Sequence, residues 1–217
     1  MKIPFVDLKK RYIEEKDELN VILNDVLSSG NLILSQDVSD LENTIAEFLD
    51  VKYCLTLNSG TDALMMALWS LGITKGDEVI TSTVSFIATA GSIAHVGAKP
   101  IFVNCTDDLN INVNEIEKKI NKNTKAIMPV HWTGRMSDMI KIKEISDKYN
   151  VPIIEDAAQA IGSSIDNIKP GQLSDFACFS SHPLKPLNGL GDSGYLVTNN
   201  SDFYDKIKLY RNHGLVE

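Results

Sequence analysis

The amino-acid sequence predicts an α/β fold in which a mostly parallel, seven-stranded sheet carries helices on both faces. Seven short apolar segments are typical of buried strands, and helical segments separate most of them. The chain has no internal repeat and no low-complexity linker. The strands and their helices are therefore expected to form one three-layer αβα domain of roughly 150 residues.

Two helices are predicted before this domain. Apolar residues recur near helical spacing over residues 8–27, and the "SSG" that follows is typical of a helix end. A second helix is predicted over residues 38–49. We therefore expect an N-terminal helical segment at 1–50, followed by a large α/β domain at 51–200.

Strands and helices then alternate along the chain. The predicted strands are "YCLTL" (53–57), "EVITS" (78–82), "KPIFV" (99–103), "TKAIMPV" (124–130), "VPIIE" (151–155), "DFACFS" (175–180) and "GYLVTN" (194–199). The predicted helices between and after them cover residues 62–71, 87–96, 113–120, 136–149 and 202–210.

Composition and charge narrow the class of protein. A hydrophobic content of 43% is ordinary for a globular protein, and a net charge of −8 argues against a nucleic-acid partner. The N-terminus lacks the unbroken apolar stretch of a signal peptide, and the charge-free run at 79–98 is too rich in Ser and Thr for a membrane span. Cys54, Cys105 and Cys178 lie far apart without C-x-x-C spacing, which favours buried thiols. These features predict a cytoplasmic protein with no membrane partner.

The stretch "FSSHPLKPLNGLGDSG" (179–194) allows two interpretations. Its end spells G-x-G-x-x-G, but a dinucleotide fingerprint follows a strand and opens a helix. Here the glycines follow a Pro-rich segment and lead into a predicted strand, so no helix N-terminus is available for a pyrophosphate. We interpret the glycines as points where the backbone turns past a bulky neighbour. Lys185, between prolines, is then the candidate for chemistry, although a lone lysine is usually a solvated surface charge.

Three other segments place functional groups directly after predicted strands. "NSGTDAL" (58–64) combines a helix start, a glycine and hydroxyls, which suits a phosphate or a simple helix cap. Glu155 and Asp156 end an apolar strand, so one of them is expected to face a ligand at the carboxyl edge of the sheet. Phe86 follows another strand, where its ring could stack on a flat cofactor or pack in the core.

Combined, these groups match the requirements of pyridoxal 5'-phosphate (PLP). The cofactor needs its phosphate held, its ring nitrogen paired with a carboxylate, its ring stacked and its aldehyde bound by a lysine. Lys185 suits the last role because few charges neighbour it and its amine can lose a proton. Four histidines and three cysteines are scattered without metal-ligand spacing, so no metal is expected.

In the order and spacing of its motifs, the chain resembles the sugar aminotransferases of PLP fold type I, known as the DegT–StrS family. The resemblance extends over nearly the whole sequence. The motifs are "IPFVDLKKRY", "SSGNLILS", "NSGTDAL", "GDEVITSTVSFIATA", "GAKPIFVN", "AIMPVHWTGRMSDM", "IIEDAAQA", "FSSHPLK" and "RNHG".

The resemblance implies a role for each candidate residue. Lys185 corresponds to the catalytic lysine, which binds the cofactor and serves as the base. Asp156 corresponds to the partner of the pyridine nitrogen, Gln159 to the residue beside the phenolic oxygen, and Phe86 to the stacking aromatic. The phosphate-binding residues that it implies are Gly60, Thr61 and Ser180.

The resemblance also implies an activity and partners. Family members transfer an amino group from L-glutamate to a nucleotide-linked keto-sugar, for amino-sugar or polysaccharide biosynthesis, and a homodimer is expected. Dehydratases of the family carry histidine at the position of Lys185, which argues against dehydration. Family members continue into a small C-terminal domain, and residues 201–217 are expected to begin the connection to it.

Two alternatives stay open at the level of sequence. The same PLP chemistry could act on another ketone, such as a keto-inositol or a keto-sugar acid. The chain could also be a catalytically silent fragment that only binds PLP or a partner chain.

Overall fold

The structure, a computed structural model, describes residue 4 and residues 6–215. The chain divides into two compact units, of which the first ends at Leu41 and the second begins at Glu42. In the first unit, helix α1 (Leu8–Ser29) begins where the Asp7 carboxylate accepts a hydrogen bond from an amide of the first turn. It ends at Gly30, whose left-handed conformation terminates the helix as predicted.

Helix α2 (Gln36–Leu49) crosses the boundary, and the second unit continues with strands and helices. Its strands are β1 (Tyr53–Leu57), β2 (Glu78–Ser82), β3 (Lys99–Val103), β4 (Thr124–Met128), β5 (Ile154–Asp156), β6 (Phe176–Ser180) and β7 (Gly194–Thr198). Its helices are α3 (Gly60–Ser70), α4 (Ile87–His95), α5 (Val113–Ile116), α6 (Met139–Tyr149) and α7 (Ser201–Arg211). The first three strands match their predicted bounds at both ends.

The seven strands lie in two sheets. One has the order β1-β7-β6-β5, in which β7 is antiparallel to both neighbours and β6 is parallel to β5. The other has the order β3-β2-β4 and is parallel throughout. The predicted α/β class is confirmed, whereas the prediction of one seven-stranded sheet is wrong.

Pro129 explains why the strands divide into two sheets. The chain segments of β4 and β5 make only two isolated parallel bridges, Ile127 with Ile153 and Val130 with Asp156. Pro129 lies between these bridges and has no N–H to donate to the facing strand. Its carbonyl still accepts a hydrogen bond from the Asp156 amide at 2.9 Å. The ladder is therefore interrupted between the two sheets.

Helices cover both faces of the strands, as the sequence predicts. Consecutive strand residues point to opposite faces, and both faces are buried. Leu196 shares a buried cluster with α3 and α7, whereas its neighbour Tyr195 packs with residues 45–49 of α2. Val79 packs with α3 and α4, whereas Ile80 packs with α6. The alternation produces three layers around the strands.

Two helices differ from their predicted bounds by three residues or more, for local reasons, whereas the other helices differ by one or two residues at one or both ends. Helix α6 starts at Met139 rather than at 136, because the Asp138 carboxylate caps it by accepting a hydrogen bond from the Lys141 amide at 3.2 Å. Helix α5 ends at Ile116 rather than at 120. Beyond it the chain continues in tight turns, the first closed by a hydrogen bond from the Lys119 amide to the Ile116 carbonyl.

Candidate active site

Several candidate residues lie at one edge of the strands. Leu57, at the end of β1, pairs with Gly194, and Gly194 pairs on its other side with Ser180. Asp156 ends β5, the strand beside β6. Ligands of α/β sheets bind at this carboxyl edge. The structure thus brings together the start of α3 at Gly60, Ser180 and Asp156.

The start of α3 offers two unpaired backbone amides. Ser59 caps the helix, because its hydroxyl accepts a hydrogen bond from the Asp62 amide at 3.0 Å and its carbonyl accepts one from the Ala63 amide at 3.1 Å. The amides of Gly60 and Thr61 come before the first intrahelical donor, and within residues 6–215 neither donates a hydrogen bond. The positive end of the helix dipole and two free N–H groups suit a phosphate.

Two glycines allow the surrounding backbones to approach closely. A Cβ on Gly60 would lie 2.8 Å from the Ser180 Cβ, so this glycine brings α3 against the end of β6. A Cβ on Gly194 would lie 2.5 Å from the Gly60 nitrogen and 2.7 Å from the Phe179 carbonyl oxygen. None of the glycines at 189, 191 and 194 has a positive φ. Close approach, rather than the sharp turn that we expected, therefore explains Gly194.

Replacing Gly194 with alanine is expected to destabilise the chain by about 1–3 kcal/mol, the usual cost of forcing extra volume into packed structure. The clashing atoms belong to the backbone and cannot rotate away. The matched control is Gly191→Ala in the loop just before β7, where a Cβ would meet nothing within 4 Å. Thermal unfolding of the two variants compares them, and equal midpoints would contradict the close-approach account.

Asp156 provides a buried carboxylate at this edge. It is 6% exposed. One oxygen accepts a hydrogen bond from the Thr89 hydroxyl at 2.5 Å, and the other accepts one from the Ala158 amide at 3.2 Å. Burial raises the pKa of Asp156, and these two donors together with the Lys185 charge oppose that increase. The carboxylate is thus held in one orientation by two separate chain segments.

Thr89 is a site residue that the sequence motifs did not identify. It is fully buried in α4, and its hydroxyl also hydrogen-bonds the Ser85 hydroxyl. Because Thr89 donates to Asp156, its oxygen accepts from Ser85, and the two hydroxyls form a directed chain to the carboxylate. No sequence pattern marks a threonine one turn into an apolar helix as a carboxylate partner.

Thr89→Val is expected to weaken PLP binding about tenfold or more, because it removes a hydrogen bond to a buried charged group, worth about 1.5–3 kcal/mol. Thr89→Ser is the matched control, since it keeps the hydroxyl. The dissociation constant is measured by titrating each variant with PLP and following the cofactor absorbance. Wild-type affinity in Thr89→Val would show that the hydroxyl does not support Asp156.

Lys185 lies in a tight turn between β6 and β7. Its amide donates to the His182 carbonyl at 2.8 Å, and its carbonyl accepts from the Asn188 side chain at 2.9 Å. The His182 ring accepts a hydrogen bond from the Leu184 amide at 3.2 Å. His182 therefore shapes the turn that presents the lysine.

Lys185 and Asp156 interact electrostatically. Burial lowers the pKa of Lys185, and the charge of Asp156 partly opposes this. The lysine is half-buried, whereas the aspartate is buried. A lowered pKa leaves more of the amine neutral near neutral pH, which is the form that attacks a carbonyl. A nucleophilic amine and a carboxylate thus occupy the same region.

Phe86 and Gln159 are the remaining candidates. Phe86 precedes α4, and with 68% of its surface exposed it is not a core residue. Its ring is free to stack on a ligand. Gln159 is half-buried, and its side-chain oxygen accepts a hydrogen bond from the Thr133 amide at 2.9 Å. Its side-chain amide group is therefore oriented by the segment after β4.

Glu155 faces away from the candidate site. Its carboxylate accepts hydrogen bonds from the Gly171 amide, the Ser174 hydroxyl and the His131 ring. Neighbouring strand residues alternate in direction, so the structure selects Asp156 of the two carboxylates. His131 is 1% exposed, and its ring is hydrogen-bonded to the Glu155 carboxylate.

Three further features of the described residues are their cysteines, their potential metal ligands and the apolar character of their helices. The cysteines are free, and burial raises the thiol pKa of Cys54 and Cys178, which keeps them protonated. Among residues 4 and 6–215, no three His, Cys, Asp or Glu side chains cluster as metal ligands. None of the described helices combines the length and the apolar character needed to cross a membrane.

The residues at the edge fit PLP. The unpaired amides at the start of α3 belong to a segment that packs against Ser180, which suits the phosphate. The buried Asp156 carboxylate accepts hydrogen bonds from Thr89 and Ala158 and interacts with the charge of the half-buried Lys185. A cationic ring nitrogen and an aldehyde would complement these two groups.

Two curated relatives match almost the whole chain. The "Pleiotropic regulatory protein" of Geobacillus stearothermophilus is 40% identical over 215 residues, which is 99% of this chain and 58% of the relative. The UDP-2-acetamido-2-deoxy-3-oxo-D-glucuronate aminotransferase of Pseudomonas aeruginosa is 39% identical over 213 residues, which is 98% of this chain and 59% of the relative. The chain thus spans less than three-fifths of the length of these relatives.

Solved structures share the fold. DesV of Streptomyces venezuelae, in complex with a ketimine intermediate, superposes with a TM-score of 0.96 at 34% identity, over 100% of this chain and 58% of that one. NtdA of Bacillus subtilis, with the bound cofactor PMP (pyridoxamine phosphate), superposes with a TM-score of 0.91 at 32% identity, over 96% of this chain and 48% of that one.

The family comparison agrees with these structures. The model of the DegT/DnrJ/EryC1/StrS aminotransferase family matches residues 13–217. This family is PLP-dependent, which accords with the cofactor that the residues at the edge fit. The chain belongs to the DegT/DnrJ/EryC1/StrS aminotransferase family.

Proposed function

We propose that this chain is the PLP-binding part of an aminotransferase that moves an amino group from L-glutamate to a nucleotide-linked keto-sugar. The observation that carries the proposal is the electrostatic interaction of Lys185 with the buried Asp156 carboxylate. A half-buried lysine with a lowered pKa interacts with a buried carboxylate beside a helix start that has free amides. Few functions other than PLP chemistry require this combination.

Each candidate residue has a defined task in this proposal. Asp156 would pair with the pyridine nitrogen, Gln159 would bind the phenolic oxygen through its side-chain amide, and Phe86 would stack on the ring. Lys185 would hold the cofactor covalently through Nζ. The residues that would hold the phosphate are Gly60, Thr61 and Ser180.

PLP, when bound, supplies an electron sink and carries the amino group between donor and acceptor. The protein's part is to hold the ring nitrogen in its protonated form and to move protons. Asp156 supplies the negative charge that favours the protonated nitrogen. The neutral Nζ of Lys185 would take the proton from the α-carbon of glutamate and deliver a proton where the product requires one.

The relatives support the choice of a keto-sugar acceptor. The Pseudomonas aeruginosa relative is named for a UDP-linked 3-oxo sugar acid. The Acidithiobacillus ferrooxidans relative, 40% identical over 213 residues, is named for a UDP-linked 3-dehydro sugar. A UDP-linked sugar with a ketone at carbon 3 is therefore the acceptor that we would test first.

The test is a half-reaction with the purified chain. The chain is loaded with PLP, freed of excess cofactor and mixed with L-glutamate, with D-glutamate as the control. We expect 2-oxoglutarate and pyridoxamine phosphate to form in equal amounts with the L-isomer. Adding a UDP-linked 3-keto-sugar should then regenerate PLP and give the amino-sugar, whereas a keto-inositol should not.

Other outcomes would overturn parts of the proposal. Bound PLP without 2-oxoglutarate would identify the chain as a silent cofactor-binding fragment. Turnover with the keto-inositol alone would reassign the acceptor. A failure to bind PLP would contradict the site itself.

A further inference from the structure

Glu155 is a buried carboxylate that the proposed function does not use. It is 1% exposed and lies directly before Asp156 in β5. One of its oxygens accepts from the Gly171 amide at 2.8 Å and from the Ser174 hydroxyl at 2.5 Å. The other oxygen lies 2.5 Å from the His131 Nε2. A buried charge with three well-defined partners on two neighbouring segments holds its strand firmly.

The hydrogen bonds fix the tautomer of His131. Its Nδ1 accepts a hydrogen bond from the Ser137 amide at 3.2 Å, so Nδ1 carries no proton. The proton of the neutral ring is therefore on Nε2, which donates to Glu155. The Ser137 hydroxyl in turn donates to the Val130 carbonyl at 3.1 Å. Ser137 thus links the Glu155–His131 pair to the backbone of the segment after β4.

This pair lies where the backbone ladder between β4 and β5 is interrupted. Pro129 interrupts the bonding between β4 and β5, and Asp156 lies beside that interruption. Two backbone hydrogen bonds flank the site there, from the Asp156 amide to the Pro129 carbonyl at 2.9 Å and from the His131 amide to the Asp156 carbonyl at 3.0 Å. His131 therefore binds both residues of the dipeptide, Glu155 through its ring and Asp156 through its amide.

We infer that the Glu155–His131 pair is a positioning device, which replaces the missing ladder bond and holds the Asp156 carboxylate where it meets the cofactor. The inference rests on the proposed function, in which Asp156 pairs with the ring nitrogen. Glu155 touches no reacting group. It acts through His131 and the backbone of β5, on the side opposite to the Thr89 hydroxyl that holds the carboxylate itself.

Glu155→Gln disrupts the hydrogen bonds of this side chain, although it hardly changes the side chain's shape. An amide has one acceptor oxygen and one donor group, whereas Glu155 accepts from donors on both sides. If the amide oxygen faces Gly171, the amide NH2 faces the Nε2–H of His131. If the oxygen faces His131, the NH2 faces the Gly171 amide. Either way two buried donors oppose each other, and the link to one segment is lost.

The test is a double-mutant cycle on PLP affinity. We expect Glu155→Gln to raise the dissociation constant about tenfold in the wild-type background, because it loosens Asp156. In the Asp156→Asn background the same change should have less than about a twofold effect, since it no longer has a carboxylate to position. Ser174→Ala is the matched control. It removes one hydrogen bond from Glu155 but leaves His131, and we expect affinity within about twofold of wild type.

The contrary results are distinct. An equal effect of Glu155→Gln in both backgrounds, or no effect in either, would overturn the inference and leave a general role in stability. If Glu155→Gln does not fold, His131→Leu and His131→Gln enter the same cycle. His131→Gln keeps a donor toward Glu155 and should retain affinity, whereas His131→Leu should lose it. Failure of the wild-type chain to bind PLP would instead refute the proposed function.

Discussion

Lys185→Ala is expected to abolish covalent retention of PLP while the chain stays folded. The lysine lies in a surface turn whose hydrogen bonds are made by its backbone, so truncating the side chain leaves the turn intact. Without Nζ there is no amine at the site to bind the aldehyde. After dialysis the variant should lose its cofactor absorbance completely, and amino transfer should fall by several orders of magnitude.

Lys206→Ala is the matched control for this variant. Lys206 is also half-buried, but its Nζ donates to the Ser70 carbonyl at 2.9 Å, away from the candidate residues. It should retain PLP as the wild-type chain does. If Lys185→Ala holds the cofactor through dialysis and borohydride treatment, another lysine binds it and the assignment of Lys185 is wrong.

Asp156→Asn is expected to have opposite effects on stability and on cofactor binding. Asparagine can accept from the Ala158 amide and donate to the Thr89 oxygen, so both hydrogen bonds can be kept. It has no charge to pair with a protonated ring nitrogen. Loss of a charge-assisted hydrogen bond, worth about 1.5–3 kcal/mol, should weaken PLP binding about tenfold to a hundredfold.

The ligand-free stability should change in the other direction, with a defined pH dependence. Burial raises the pKa of Asp156 above its ordinary value of 3.8. Below 3.8 the carboxyl is protonated in both folded and unfolded chains, so the variant and the wild type should unfold alike. As pH rises through the higher folded pKa, the buried charge costs the wild type stability that the variant keeps. Unfolding midpoints at acidic and neutral pH measure this difference, and a variant less stable at neutral pH would contradict it.

Much of the fold follows from local patterns. Strands β1, β2 and β3 match their predicted bounds because each is a short apolar run bounded by polar or turn residues. The break between the sheets could not be predicted in this way. Pro129 is the next-to-last residue of the predicted strand at 124–130, where a proline is acceptable, and its missing N–H matters because the chain folds β5 beside it.

Candidate site residues could be predicted from the sequence where their position at the end of a strand points to a ligand. Lys185, Asp156 and Gly60 all follow or adjoin strand ends, and the resemblance to a family supplied their roles. Strand alternation alone did not decide between Glu155 and Asp156, because it says that they face apart but not which one faces the edge, and the resemblance supplied the choice of Asp156. Thr89 was missed because it meets Asp156 only through tertiary packing, across a sequence separation of 67 residues.

The most direct test of the central claim is to locate the lysine that binds PLP. The chain is incubated with PLP, reduced with borohydride and digested, and mass spectrometry identifies the modified peptide. We expect the cofactor on Lys185, in the peptide that contains "SSHPLKPLNG" (180–189). Modification spread over surface lysines, or fixed on a different lysine, would contradict it.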